Sequence, residues 1–311
     1  MKLLICTQAV DAGDSDLGFF VHWLQCFAKN CNKITVICLR EGKHDFPKNV
    51  KVIALGAAPT QEVGAPTMSV GVGRMQKAAK LISLAWKLRN EYDSVFVHMN
   101  PEYVVVAGML WRFMNKRVAL WYTHKSVNLK LRIAVLFSHI VFTASAESLR
   151  LQTKKLRVMG HGIDTDFFSP DTSIAREDWI LSVGRLMKSK RHDLAIRTAI
   201  RENKELRIAG EGTERKNLEL LARELGARVQ FLGALTQSQL REEYRKARCL
   251  IHTSETGSLD KVVLEALACG LPVQTNDPAL KTLENVSPEY VREHHSLQRL
   301  IPAILGFIKT I

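Results

Sequence analysis

The chain has 311 residues, 46% apolar and 24% charged, an ordinary globular composition that excludes disorder, collagen and coiled coil as overall descriptions. Its longest run free of Asp, Glu, Lys and Arg is Ile133–Ala146, 14 residues, short of the roughly 20 that a membrane-spanning helix needs. The formal charge of +13 is lopsided: residues 1–164 hold 22 Lys+Arg against 11 Asp+Glu, whereas residues 165–311 hold 22 against 20. Such a basic half points to a polyanionic neighbour, such as an anionic membrane surface or a phosphorylated acceptor.

Lys2–Thr7 reads as a strand, and the apolar run is too short for a signal peptide, so the chain is expected to be cytoplasmic. Phe20, Trp23, Leu24 and Phe27 fall at i, i+3, i+4 and i+7, the apolar face of a helix. Strands Lys33–Leu39 and Lys51–Leu55 follow, then a Gly/Pro-containing loop Pro59–Gly73 and a basic helix Arg74–Asn90. Strand Ser94–His98, a helix from Pro101, strand Arg117–Thr123, helix Leu129–Phe137 and strand Ile140–Ala144 continue the alternation. The pattern then restarts with strands Trp179–Gly184, Leu206–Ala209, Val229–Leu232, Cys249–Thr253 and Val273–Thr275. Helices His192–Arg201, Glu214–Leu225, Gln237–Ala247 and Asp260–Ala268 lie between them, and Leu297–Ile308 ends the chain. The prediction is α/β: two Rossmann-like domains facing across a cleft, 1–168 and 169–311, with the last helix packing back on the first. The six cysteines form no Cys-x-x-Cys pair and read as buried thiols.

Ligands in doubly wound sheets bind beyond the carboxyl ends of the strands, which selects a short list. Arg185 and Lys190 follow a strand directly and offer two cations to a diphosphate. Ser258 is a candidate N-cap before a helix whose free N–H groups suit phosphate or sugar oxygens. Glu265 lies seven residues on, about 10 Å away at the helical rise, the reach from a diphosphate to its ribose. Gly210-Glu211-Gly212 lacks the third glycine of a dinucleotide fingerprint, since position 215 is Arg. Asp14-Ser15-Asp16 reads as a capping turn before a helix rather than a metal-binding pair, and no metal site is expected. His98 and His124 end strands of the first half. Aromatic residues are not interleaved with basic ones at nucleic-acid spacing, so no nucleic-acid partner is expected.

Several segments together resemble the retaining family 4 glycosyltransferases (glycosyl transferases group 1), which have the GT-B fold. They are Val183-Gly184-Arg185-Leu186 with Lys190, Ile208–Gly212, Val229–Gly233, Val263–Val273 and the junction Gly160–Phe167. The resemblance implies a UDP-, GDP- or ADP-sugar donor held mainly by the second domain, with no other cofactor and no metal. Arg185 and Lys190 would contact the diphosphate, Glu265 the ribose, and backbone around Phe231 the base. Gly212, Gly257, Ser258, Leu259 and Lys261 would complete the donor site. Gly18 would face the phosphates across the cleft, and His124 matches a histidine near the transferred sugar. The chain departs from the family's Glu-x7-Glu pattern at Gly257, where the first Glu is missing, and Asp260 is the substitute favoured here. The expected activity is retaining transfer of a hexosyl group to a glycan or lipid-linked acceptor in cell-envelope polysaccharide synthesis, peripheral to the inner membrane face. The alternatives are a GT-B-fold sugar-nucleotide epimerase and a non-catalytic basic membrane- or polyanion-binding protein.

Overall fold

The structure, a computed structural model, describes residues 1–14, 16–56, 72–254, 259–278, 280–284 and 286–311. It divides into two compact units, 1–160 with 298–311, and 161–297.

Among the described residues of the first unit, β1 (Lys2–Val10), α1 (Phe19–Asn30), β2 (Lys33–Glu41), β3 (Val50–Ala54), α2 (Val72–Lys87) and β4 (Ser94–His98) come first. They are followed by α3 (Glu102–Phe113), β5 (Arg117–Trp121), α4 (Leu129–Phe137), β6 (Ile140–Thr143) and β7 (Leu156–Val158). The strands form one parallel sheet, ordered β3-β2-β1-β4-β5-β6-β7, with Leu3 pairing with both Ile34 and Ser94 where the order reverses. Its strands are near-continuous apolar runs because helices cover both faces. Val95 and Val97 pack with α2, α3 and α4 around Leu81, Tyr103, Trp111 and Leu131. Phe96 points the other way, onto Phe27 of α1.

In the second unit, the described order is β8 (Trp179–Val183), α5 (His192–Arg201), β9 (Glu205–Ala209), α6 (Arg215–Glu224), β10 (Val229–Gly233) and α7 (Gln237–Lys246). Then come β11 (Cys249–His252), α8 (Lys261–Ala268), β12 (Val273–Thr275) and α9 (Pro288–His295), before α10 (Leu297–Thr310). The sheet is parallel, ordered β10-β9-β8-β11-β12. Helices α5 and α6 cover one face through Ile196 and Leu218, and α7 and α8 the other through Tyr244 and Leu264.

The units divide at Gly160/His161, eight residues before the predicted boundary after Phe168. The connecting segment is packed onto the second unit. Phe168 meets Tyr244, with ring centroids 6.0 Å apart. The Arg176 guanidinium donates to the carbonyls of Ala247 at 2.9 Å and Gly270 at 2.7 Å, satisfying groups just beyond α7 and α8. Helix α10 belongs to the first unit from Gln298 onward, where Phe307 meets Phe142.

Two elements are absent from the sequence expectation. Strand β7 is three residues with an exposed Arg157, and α9 buries only Val291, so neither shows a burial period. The thiols of Cys6, Cys31, Cys38, Cys249 and Cys269 are buried and that of Cys26 is half-buried. Burial pushes the Cys38 thiol up to about 12.

Candidate functional site

The loops after β8, β9 and β10 are strapped together by backbone hydrogen bonds. Gly184 N donates to Ala209 O at 3.0 Å, Leu186 N to Glu211 O at 2.8 Å and Gly210 N to Gly233 O at 2.8 Å. This contact needs bare backbone. A Cβ on Gly210 (φ +143°) would lie 2.0 Å from Gly184 O, and one on Gly212 (φ +157°) 2.3 Å from Leu186 O. The Gly-Glu-Gly turn therefore serves first as a packing device for the β8 loop. Leu186, fully buried, anchors that loop in the α5–α6 core, and its neighbour Arg185 stays exposed. No described carboxylate lies within ion-pair distance of Arg185.

Lys190 behaves differently. Its stem lies over Gly184, and its Nζ donates to Asp260 Oδ2 at 2.6 Å. The two residues are distant in sequence and meet because β11 pairs directly with β8. Thr253, at the end of β11, donates its hydroxyl to Lys190 O at 3.0 Å and fixes the backbone beneath that contact. His252, 4% exposed, bonds through Nε2 to the same Asp260 oxygen at 3.2 Å, and through Nδ1 to Thr275 Oγ1 at 3.3 Å. Burial alone would raise the Asp260 pKa, but the His252 hydrogen bond and the Lys190 charge outweigh it and hold the carboxyl well below the usual range. An ammonium has three donors, so the Asp260 bond leaves Lys190 capacity for phosphate oxygens.

Helix α8 starts at Lys261, and its N-cap is Asp260 rather than the predicted Ser258. Asp260 spends its side chain on Lys190 and His252 and makes no capping bond, so the N-cap's own side chain leaves the helix end open. Gly257 and Ser258 lie outside the described residues. Leu259, just before the helix, is held by its carbonyl, which bonds His161 Nε2 at 2.9 Å. Burial lowers the His161 pKa, so the ring is neutral and its N–H is the donor.

Glu265 sits on α8 but is not a surface carboxylate. It is 1% exposed, its Oε1 is 2.8 Å from Lys261 Nζ, and its Oε2 accepts from the Tyr244 hydroxyl at 3.3 Å. Lys261 is thus the group a ribose would displace to reach it. Phe231 is half-buried in the middle of β10, with the Arg215 guanidinium 4.8 Å from its ring centroid.

The structure therefore brings Arg185, Lys190, Gly212, Leu259, Asp260, Lys261 and Glu265 to the carboxyl edge of one sheet, with Phe231 two strands away from β8. His124 and Gly18 belong to the first unit. His124 is exposed, and its Nδ1 accepts from Ser126 N at 3.1 Å. Gly18 is buried where a Cβ would be 2.5 Å from Asp14 O. Asp14 accepts from the amides of Asp16 and Leu17 at 2.9 and 2.8 Å and pairs with Arg40, closing the turn before α1, whose N-cap is Gly18 with no side-chain capping bond, so the expected cap is not made. Sequence reasoning missed His252, His161 and Tyr244. His161 lies between glycines, His252 ends an apolar strand and Tyr244 sits among charged residues of α7, and none of these contexts signals the polar partner.

Residues 164–292 match the family model described as glycosyl transferases group 1. The gpi3 subunit of phosphatidylinositol N-acetylglucosaminyltransferase from Schizosaccharomyces pombe is 31% identical over 132 residues, 40% of this chain and 29% of the relative. A D-inositol 3-phosphate glycosyltransferase from Mycobacterium avium is 35% identical over 136 residues, 38% of this chain and 32% of the relative. The matched segment thus spans about a third of these curated relatives. The solved structure of HepE from Anabaena in complex with UDP superposes with a TM-score of 0.72 at 17% identity, covering 100% of both chains. That likeness establishes the fold class as GT-B, two Rossmann-like α/β units.

Proposed function

We propose that this protein is a retaining glycosyltransferase. It would move a hexosyl group from a nucleoside-diphosphate sugar to a hydroxyl of a glycan or lipid-linked acceptor, without a metal or further cofactor. The observation that carries the reading is the placing of Arg185, the Lys190–Asp260 pair and the start of α8 at adjoining strand ends. Two cations beside a helix N-terminus suit a diphosphate.

Chemically, the bond from the sugar's anomeric carbon to the diphosphate breaks, and the leaving oxygens gain negative charge. Arg185 and Lys190 stabilise that charge as it develops. Asp260 and His252 keep the Lys190 ammonium in place. The acceptor hydroxyl attacks on the face the diphosphate leaves, and its proton passes to a departing phosphate oxygen. The configuration is retained and no protein nucleophile is consumed. Glu265 takes the ribose hydroxyls once Lys261 swings away, and the base lies beside Phe231. His124 and Gly18 of the first unit serve the transferred sugar and the phosphates, as the family resemblance implies. The basic first unit and the phosphatidylinositol named for the yeast relative favour a lipid-linked acceptor at an anionic, cytoplasmic membrane face.

The test incubates the protein with UDP-, GDP- and ADP-sugars and a panel of glycan and lipid-linked acceptors. Nucleotide release with an α-linked product is expected. Turnover of donor without acceptor would make the protein an epimerase, and absence of both release and nucleotide binding would overturn the reading.

A further inference from the structure

Helices α2, α3 and α4 lie side by side on one face of the first sheet, sharing one apolar core beneath them. Their inward residues account for only half of their apolar character. On α3, Tyr103, Ala107 and Trp111 are buried, yet Met109 is 71% and Phe113 80% exposed on the outer side. On α4, Leu129 and Leu136 are 72% and 68% exposed, seven residues apart on one stripe. Gly108 lets the two helices close up, since a Cβ there would lie 2.8 Å from the Phe137 Cβ, and the two stripes run as neighbours. Helix α2 adds exposed Met75, Ile82 and Trp86 at the same periodicity. A helix apolar on all sides belongs in a core or at a membrane, and a contiguous exposed apolar face marks an interaction surface.

The surrounding charge selects the partner. Residues 72–137 hold 11 Lys+Arg and three Asp+Glu. Arg112 and Arg132 stand exposed within the outer stripes of α3 and α4, and the Arg89 guanidinium lies 4.6 Å from the Trp86 ring centroid. Lys80 is an exception, turned to the Ala54 carbonyl at 2.9 Å. A second copy of this chain would bring like charges together, whereas a phospholipid surface takes the apolar side chains below its headgroups and pairs the cations with its phosphates.

We propose that the outer face of α2, α3 and α4 docks on an anionic phospholipid bilayer. No helix among the described residues is long and apolar enough to cross a membrane, so the face lies on the surface. This places the expected membrane contact on α3 and α4 as well as on the basic helix. Of the loop Pro59–Gly73 before the basic helix, residues 59–71 lie outside the described residues. The docking surface rests on the first unit alone, so vesicle binding and sugar transfer fail or succeed separately.

Co-sedimentation with vesicles of phosphatidylcholine mixed with phosphatidylglycerol, and with pure phosphatidylcholine, tests it. Binding is expected to the mixed vesicles and to fall with added salt. The double variants Met109→Ser with Phe113→Ser, and Arg112→Glu with Arg132→Glu, should each weaken it about tenfold. Thermal unfolding and UDP binding should stay as in the unaltered protein, because the changed side chains are exposed and far from the core. Equal partitioning onto neutral vesicles, undiminished binding by both double variants, or a dimer dissociated by the Phe113 change would overturn the proposal.

Discussion

His98 and His252 occupy the same place in two sheets: each ends a central parallel strand, and each is buried. Their surroundings differ. His98 stacks on Phe20 with centroids 3.9 Å apart, among Phe19 and Trp23. His252 holds Asp260, which holds Lys190. A strand's carboxyl end is where function can sit, but the partners on the neighbouring loop decide whether it does. In the first unit those partners are aromatic rings and the Thr7 hydroxyl, 3.4 Å from His98 Nδ1. In the second they are a carboxylate, an ammonium and a helix start.

The largest effect that would break this contrast is mechanical. Gly210→Ala forces a Cβ onto the Gly184 carbonyl, so denaturant unfolding should show a loss of at least about 3 kcal/mol. Gly226→Ala, at a positive φ of +63° but with nothing within 4 Å, should cost only about 1 kcal/mol. Equal losses would mean that the strapped loops do not depend on the close approach.

Next in size, Arg185→Ala should lower the transfer rate by about 10- to 100-fold, the worth of one charged hydrogen-bonding group. Its melting temperature should not move, since the side chain is exposed and no described carboxylate lies within ion-pair distance of it. Lys190→Ala should lower both rate and stability, because it leaves the half-buried Asp260 without its ammonium. If Arg185 proved the structural residue and Lys190 the dispensable one, the assignment of roles would be reversed.

The histidines sharpen the comparison directly. His252→Gln should reduce kcat by about tenfold through misplacement of Lys190, whereas His98→Gln should reduce stability and leave kcat per folded molecule unchanged. A rate loss at His98 matching that at His252 would erase the distinction between the two strand ends.

A pH dependence is predicted as well. Burial lowers the pKa of His192 from 6.5 to about 4. The unfolded chain takes up that proton first, so the stability His192 contributes is complete above pH 6.5 and is lost as pH falls towards 4. The Asp260 contribution, with its pKa held below the carboxylate range, persists until still lower pH. Acid unfolding should begin with the buried histidines, since burial holds His295 as low as His192, and His192→Asn should flatten part of the upper limb of the curve. A curve unchanged by that substitution would exclude His192 as its source.

Most of the fold was legible because parallel strands covered on both faces read as apolar runs, and Phe20, Trp23, Leu24 and Phe27 declare their helix. The cationic loop at Arg185 and the carboxylate at Glu265 were legible from their distance to strand and helix ends. The Lys190–Asp260 contact was not, because the chain crosses two strands and returns before β11 lies beside β8. Nor was the burial of Glu265, whose Tyr244 partner comes from a different helix and reads as core. The α8 cap was misplaced because Ser258 and Asp260 are comparable cappers by type, and Asp260 turns to charges that only the tertiary fold supplies.

The most direct test of the account is a calorimetric titration of UDP and GDP into the protein and into Arg185→Ala. Binding of at least one nucleotide, weakened about tenfold or more by the substitution at unchanged melting temperature, is the predicted result. Nucleotide affinity that is indifferent to Arg185 would contradict it.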